Sequence, residues 1–545
     1  VSAVAPTPRW RGLAPYLALP LLAALAVVPY AGIFGLYPVG PDVPLWVHDM
    51  EPANPEWFAN VFLRRQFIAW RPITALTFTL DGALGGLPLG MRVVDVGAHV
   101  LAGFAMVSAW RGLVGPAARP SPWWGVLAAA LLWYSPLAEL VVPFVTRRSY
   151  TLAGLFSFLA FGLGVWAIRA QRPLASVGAA ALVALAATSN ETGFVVGPAL
   201  LLATALLGPS LRTKEGSWLA ARHAAPLVLA VTAVLAARQT VLEGEVGGYD
   251  EGINLVAIVV KGEATFIKKA PLTTIFAYAW RGGVFPDDLS GDPMFVFGLG
   301  HDGVVGAVFG AWALTFVIRR AVFHRDLVPA VLAVWITGYA LLAVLGHVWF
   351  PRMGYAMGGA VVLWVVWALR ETATSAPSRW RLLDALVLAL VLATRVQRAT
   401  PLRGIERRSL REQVLGTRTI EESLAAVSRL EGPALVWVGV PMENLTAASV
   451  WRWVERLGPE GIEVRQLTHL VVPERPQLKT TVEFAADSVR PTPEAEWARQ
   501  ALDMWPTAPT LPLELYRLAA PDGRPTWILD NGRLTRIDEG AAPPP

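Results

Sequence analysis

The sequence contains no cysteine. Disulfide frameworks, CxxC redox pairs, thiolate metal sites and cysteine nucleophiles are therefore excluded at once. Charge is scarce as well: 16% of the 545 residues are Asp, Glu, Lys or Arg, against roughly 25% in soluble domains. There is no P-loop, so ATP-driven transport has no support. His48 and Asp49 have metal-ligand chemistry, but no HExxH or comparable cluster completes a site, and no metal or cofactor is expected. The net charge of +5 is not a nucleic-acid signal, because the basic residues are spread between hydrophobic segments.

What is abundant is apolar surface, 54% of the chain, concentrated in roughly the first 395 residues in runs long enough to cross a bilayer. A spanning helix needs about 20 mostly apolar residues. Runs near 13–37, 90–110, 123–144, 150–168, 174–189, 193–208, 219–240, 299–318, 327–349, 353–370 and 380–395 predict about eleven spans on that rule. The first run follows a short basic stretch, yet it is too long for a signal-peptide core and no A-x-A site precedes a soluble domain, so it reads as an uncleaved span. An initial Val is consistent with a GTG start codon and a bacterial source.

Orientation follows from charge. With the N-terminus in the cytoplasm, the inner loops carry Arg9 and Arg11, Arg111 and Arg119, Arg169 and Arg172, Arg212 and Lys214, Arg319, Arg320 and Arg325, then Arg370, Arg379 and Arg381. Their acids are few: Glu215, Asp326 and Glu371. Positive charge on the inner loops is the usual determinant of topology. Two outer loops are long and rich in acids and aromatics. The first, 38–88, holds Asp42, Asp49, Glu51, Glu56, Arg64, Arg65, Arg71 and Asp81; the second, 242–298, holds a similar mixture. Loops much above about 15 residues are usually functional or disordered, and their tryptophans argue against disorder.

From about 396 the composition becomes ordinary. RTIEESLAAVSRL reads as an amphipathic helix, PALVWVGVP as a buried strand and ASVWRWVERLG as a helix ending in Gly. LELYRLAAPDGRPTWILDNGRLTRID alternates around DG and NG turns, which predicts a three-stranded meander. The expected architecture is an α-helical polytopic membrane protein, residues 1–395, followed by a small extracytoplasmic α/β domain, residues 396–545.

Ionisable residues at membrane depth are costly, about 2.5–3.5 kcal/mol each on insertion scales, and persist where they pair or act. Arg92, Asp95 and His99 share one helical face. Two readings fit them: an ion-paired relay, or an Arg–Asp pair tethering helices beside a satisfied histidine. Glu139 precedes Arg147 and Arg148 at an expected outer turn, where basic residues defy the positive-inside rule and imply an anionic partner such as a lipid phosphate. Glu191, in TSNETG, and Arg352, in VWFPRMGY, fall on the same side. GLGHDG at 298–303 matches GxGxxG but lacks the strand–helix context of a dinucleotide site. Gly354 and Gly358 form a GxxxG, which more often reports close helix packing.

Four segments then carry a resemblance. WRPITALTFTLDGALGGLPLGMRVVDVGAHVLAGFAMV, SPLAELVVPFVTRRSYTLAGLFSFLAF, ALAATSNETGFVVGPALLL and FPRMGYAMGG occur in that order over roughly 40–370. They resemble the "RPL … N-x-x-x-H", "HP, E-x-V, s-g-R-x-D", "S-K-E" and "R-Y-x-Y" segments of GT-C glycosyltransferases, in the protein O-mannosyltransferase and TMTC-like branch with its bacterial relatives. The departures are specific. The Asn of N-x-x-x-H is Asp95, although His99 matches. The His of HP is Ser135, the acid after Arg147 is Ser149, and the Lys of S-K-E is Asn190, with Glu191 kept.

The resemblance implies a polyprenyl-phosphate-linked sugar as donor, an unspecified acceptor at the outer face of the bacterial inner membrane, inversion at the anomeric carbon and no metal. It also implies an acidic base in the first outer loop: Asp49, with Glu51 as companion and Asp42 as competitor. Arg71, Arg147, Arg148 and Arg352 are the expected phosphate-binding residues, and Asp95, His99, Glu139 and Glu191 the supporting ones. A lipid-linked sugar flippase and a non-catalytic envelope-assembly protein remain as alternatives. A flippase is expected to show internal repeats and interrupted helices, and no two-fold repeat is found in the sequence.

Overall fold

The computed structural model describes residues 10–38, 54–64, 69–81, 84, 88–115, 121–139, 141–242, 301–345, 354–374, 379–439, 447–466, 482–485, 488–491, 511–512, 524–530 and 532–537. Asp42, Asp49, Glu51, Arg352 and nearly all of the second long loop lie outside them. The chain divides into two compact units, 1–34 with 58–84 and 90–406, and 35–57 with 85–89 and 407–545.

The first unit is helical: α1 Trp10–Val27, α2 Pro72–Asp81, α3 Leu89–Val114, α4 Trp123–Trp133, α5 Arg148–Arg169, α6 Pro173–Ser189, α7 Val196–Leu207, α8 Lys214–Val241, α9 His301–His324, α10 Val328–Leu345, α11 Gly354–Thr374 and the start of α12 Arg379–Val427. Short 3-10 turns, Val28–Ile33 and Glu191–Val195, follow α1 and precede α7. Among the described residues, five segments are long and apolar enough to cross a membrane: Ala14–Ile33, Leu89–Val114, Val145–Arg169, Lys214–Val241 and Gly354–Thr374.

Their burial tells which of them face lipid. α5 packs on α6, α7 and α11, and α11 is buried on every side from Gly354 to Ala368. By contrast Leu17, Leu21 and Leu25 of α1 and Val228, Leu229 and Leu235 of α8 are exposed. In hydrocarbon, exposed leucine costs nothing, and association relies on packing and polar contacts between helices. Close approach at the centre depends on small residues. A Cβ on Gly154 would lie 2.8 Å from the Tyr355 ring, and one on Gly90 would lie 1.8 Å from the Asp81 carbonyl.

Each apolar run of the sequence contains a helix, but the run 123–144 is not one span. α4 stops after 11 residues, about 16 Å at 1.5 Å per residue, roughly half the hydrocarbon thickness of about 30 Å. A single turn, Pro136–Glu139, and a 3-10 turn, Val145–Arg147, lie between α4 and α5. Pro136 and Pro143 are the cause, since proline lacks the helical N–H and biases the preceding residue away from the α region. The expected chain boundary at 395 also falls inside a helix, because α12 continues unbroken for 49 residues.

In the second unit, β1 Ala434–Gly439 pairs in parallel with β2 Ile462–Gln466 and with β6 Thr526–Asp530. Between β1 and β2 runs α13 Ala447–Leu457. A hairpin joins β6 to β7 Arg533–Ile537, with Gly532 at φ +77°, so the sheet order is β2-β1-β6-β7. The NG turn is thus a hairpin, and the first limb expected of the meander lies outside the described residues. β3 Val482–Ala485, β4 Ser488–Pro491 and β5 Leu511–Pro512 form a separate antiparallel sheet. The Trp453 indole N–H donates to the Pro38 carbonyl at 3.1 Å, and the Tyr37 N–H donates to the Thr417 hydroxyl at 2.9 Å.

Candidate functional site

The first unit encloses a buried polar centre assembled from residues far apart in sequence. α5 begins at Arg148, whose guanidinium is fully buried. Its Nε donates to Asp95 of α3 at 2.5 Å, its Nη1 donates to both carboxylate oxygens of Asp81 at 2.9 Å, and its Nη2 donates to the Met91 carbonyl at 2.9 Å. The Phe78 ring lies 4.3 Å away. One planar fork therefore ties α2, α3 and α5 together, a geometry that lysine cannot reproduce.

Asp81 ends α2, outside the candidate spans. Burial pushes its carboxyl up to about 7, Arg148 pulls it down, and Asp95 raises it further.

A second ion centre surrounds Glu191. Arg71, which precedes α2, donates from Nη2 to Glu191 Oε2 at 2.8 Å, and Arg238 of α8 donates from Nη2 to Glu191 Oε1 at 2.6 Å. Arg238 also donates from Nη1 to the Trp70 carbonyl at 3.3 Å. The two centres are adjacent along α2, where the Thr74 hydroxyl donates to the Ser189 carbonyl at 2.9 Å. They are joined again between α5 and α6, where Asn190 Nδ2 donates to the Ser149 hydroxyl at 3.2 Å. Asn190 Oδ1 meanwhile accepts from the backbone N–H of Thr192 at 3.1 Å, capping the 3-10 turn.

His99, four residues after Asp95 on α3, has partners of its own. Its Nε2 faces the Trp133 carbonyl at 3.3 Å and its Nδ1 faces the Tyr355 hydroxyl at 2.7 Å. The carbonyl can only accept, so Nε2 carries the proton and Nδ1 accepts from Tyr355. Replacing Tyr355 by Phe removes that donor in a buried site. It is expected to cost about 1–3 kcal/mol, read as a lower thermal midpoint in detergent. An unchanged midpoint would show that the pair contributes nothing.

Several sequence expectations are altered. Arg148 was expected at an outer surface facing a phosphate; instead it is buried and its fork is committed to Asp81, Asp95 and Met91. The relay along α3 does not form either. Asp95 is tethered by Arg148 rather than by Arg92, Arg92 donates to the Pro143 carbonyl at 2.5 Å, and His99 turns to Tyr355. Neither reading of these three residues holds as made, because Asp95 is tied to an arginine of another helix and His99 to a tyrosine of α11. Glu139 closes the single turn after α4 and is half-buried, and the half-buried Arg147 sits 3.9 Å from the Phe144 ring.

Asp81, Arg238 and Tyr355 were not singled out by the sequence. Arg238 was findable, being an ionisable residue inside an apolar run. Tyr355 carries no charge, so no such rule flags it. Among the described residues no cluster of three or more His, Asp or Glu suited to a metal ion occurs.

These helices and ion pairs define a multi-pass membrane protein with a polar centre inside its helix bundle. No protein-family model matches the chain, and no curated protein sequence matches it. Among solved structures, it is similar to the archaeal oligosaccharyltransferase AglB from Archaeoglobus fulgidus in complex with an inhibitory peptide and a dolichol-phosphate. Identity is 12% and the TM-score 0.45, over 83% of this chain and 64% of that one. A second structure of the Archaeoglobus fulgidus oligosaccharyltransferase, tethered to an acceptor peptide, gives 13% identity and a TM-score of 0.42 over 82% and 63%. The chain thus spans less than two thirds of the length of these two proteins. ArnT from Cupriavidus metallidurans bound to undecaprenyl phosphate gives 12% and 0.47, over 94% of this chain and 92% of that one.

Proposed function

We propose that the chain is a glycosyltransferase of GT-C type, moving a sugar from a polyprenyl-phosphate donor to an acceptor at the outer face of a bacterial cytoplasmic membrane. In this reading the N-terminus is cytoplasmic and the 396–545 region lies outside. The observation that carries it is convergence. The four segments that resemble the family in sequence, spread from Arg71 to Tyr355, supply the partners of one another: Arg71 to Glu191, Arg148 to Asp81 and Asp95, Ser149 to Asn190, and His99 to Tyr355.

Two of the departures also explain each other. Where the family pattern has an acid and a lysine, this chain has Ser149 and Asn190, and these two touch. One acidic and one basic position are both neutral here, so the exchange leaves the charge balance of the two positions unchanged.

The mechanism follows the roles that the resemblance implies. Asp49, or Asp42 in its place, takes the acceptor hydroxyl proton with Glu51 as neighbour. The acceptor oxygen bonds to the anomeric carbon as the bond from that carbon to the phosphate oxygen breaks, inverting the centre. The electron pair leaves on the phosphate, which Arg71, Arg147 and Arg352 hold, since guanidinium matches phosphate oxygens in a bidentate fashion. Arg148, Asp81, Asp95, His99, Glu139 and Glu191 hold the frame.

The test is the full chain in proteoliposomes with a polyprenyl-phosphate-linked labelled sugar, following release of polyprenyl phosphate. Transfer that continues in excess EDTA is expected, because no step uses a metal. Movement of the lipid across the bilayer without transfer would instead identify a flippase, and neither event would identify a non-catalytic protein.

A further inference from the structure

The ion centre at Glu191 holds a residue that the proposed mechanism does not use. Arg238 is almost fully buried near the end of α8, 47 residues from Glu191 and 168 from Trp70. One arm of its fork holds the Trp70 carbonyl, immediately before Arg71 in the chain. The other holds the Glu191 oxygen opposite the one that Arg71 uses. Arg238 thus fixes Arg71 twice, through the backbone just before it and through the carboxylate that orients its guanidinium. Glu191 is itself set by the 3-10 turn Glu191–Val195, which Asn190 caps.

The charge pattern has a purpose in that arrangement. A carboxylate shared by two arginines draws less strongly on each than a private one would, and Arg71 stays oriented while its side chain retains about 10% exposure. Arg238, at 2% exposure, has no such access. We infer that Arg238 is a positioning residue that presets Arg71 for an anionic phosphate, without touching that phosphate itself. The inference rests on the proposed donor class and deepens it, because it divides the two arginines of one centre into a binder and a holder.

Binding of a plain polyprenyl monophosphate to the full chain in detergent, followed by tryptophan fluorescence, separates the possibilities. Arg71→Gln is expected to weaken binding on the order of tenfold or more, the range of one charged hydrogen bond. Arg238→Gln should weaken it by a similar factor, and the double variant should lose little beyond either single one, because one residue acts through the other. Arg238→Lys keeps the charge but not the fork, so it should recover only part of the loss.

If Arg238→Gln does not fold, Arg238→Lys decides, and wild-type affinity in that variant would overturn the inference. Additive losses would make Arg238 an independent binder and would overturn it too, as would an Arg71→Gln variant that binds normally. Absence of binding by the wild-type chain would instead count against the donor class itself.

Discussion

Arg148→Met is expected to destabilise the helical unit by about 3–5 kcal/mol, the usual cost of leaving buried partners uncompensated. Two carboxylates, Asp81 and Asp95, converge on this guanidinium with no exposed surface around it. Because whole domains are stable by only about 5–15 kcal/mol, the variant should melt far earlier in detergent or fail to assemble. Removing all three charges together, as Asp81→Asn, Asp95→Asn and Arg148→Met, should recover much of the loss, since neutral groups carry no uncompensated charge. A single variant as stable as the parent would refute the central role of Arg148. A triple variant no better than the single would assign the cost to packing.

The sign of the pH effect follows. The Asp81 carboxyl is already raised by burial to about 7, and losing Arg148 removes the main influence that lowers it. A folded-state value above the unfolded one of about 4 stabilises fully below the latter and is lost as pH rises through the former. The deficit of Arg148→Met should therefore be smaller at pH 5 than at pH 8.

Asp49→Asn is expected to lower the transfer rate by about 10² to 10⁴-fold, the usual worth of a general base, with donor affinity preserved because the residue meets the acceptor proton and not the phosphate. The paired variant Asp42→Asn should retain most activity. The reverse result would move the base to Asp42, and full activity in both would remove the first outer loop from the chemistry. Glu51→Gln is informative beside them: a modest loss fits a neighbour that positions Asp49, and a loss as deep as that of Asp49→Asn fits a shared proton.

Helix positions were legible because hydrocarbon makes a blunt demand: every backbone polar group must be satisfied within the segment, so a long apolar run has few alternatives to a helix. That rule located a helix in each run, from Leu89–Val114 to Gly354–Thr374. It failed at 123–144 because an apolar count does not register what proline does to the backbone: Pro136 follows closely on the end of α4, and Pro143 stands where a resumed helix would have to run. The compositional change near 395 falls within α12, which passes from apolar to amphipathic sequence without a change of backbone.

In the site, the chain's own order revealed which residues matter more readily than what they do. Arg148 stood out as a basic residue at an expected outer turn and Glu191 as a carboxylate between two short apolar runs, yet one was assigned to a phosphate and the other was given no named partner. Arg238 and Tyr355 were passed over, the first near the end of an otherwise ordinary span, the second as one aromatic among many.

By itself, then, the sequence determined a helical membrane protein, a compositionally distinct C-terminal region and a short set of ionisable residues. All three depend on composition and on periodicity within a single segment. Only the tertiary structure decided that Arg148 is bound by Asp81 and Asp95, that Arg71 and Arg238 share Glu191, and that Ser149 answers Asn190. Pairing is a property of distance between segments, and a charge in low dielectric takes whichever opposite charge the packing of the helices brings within about 3 Å.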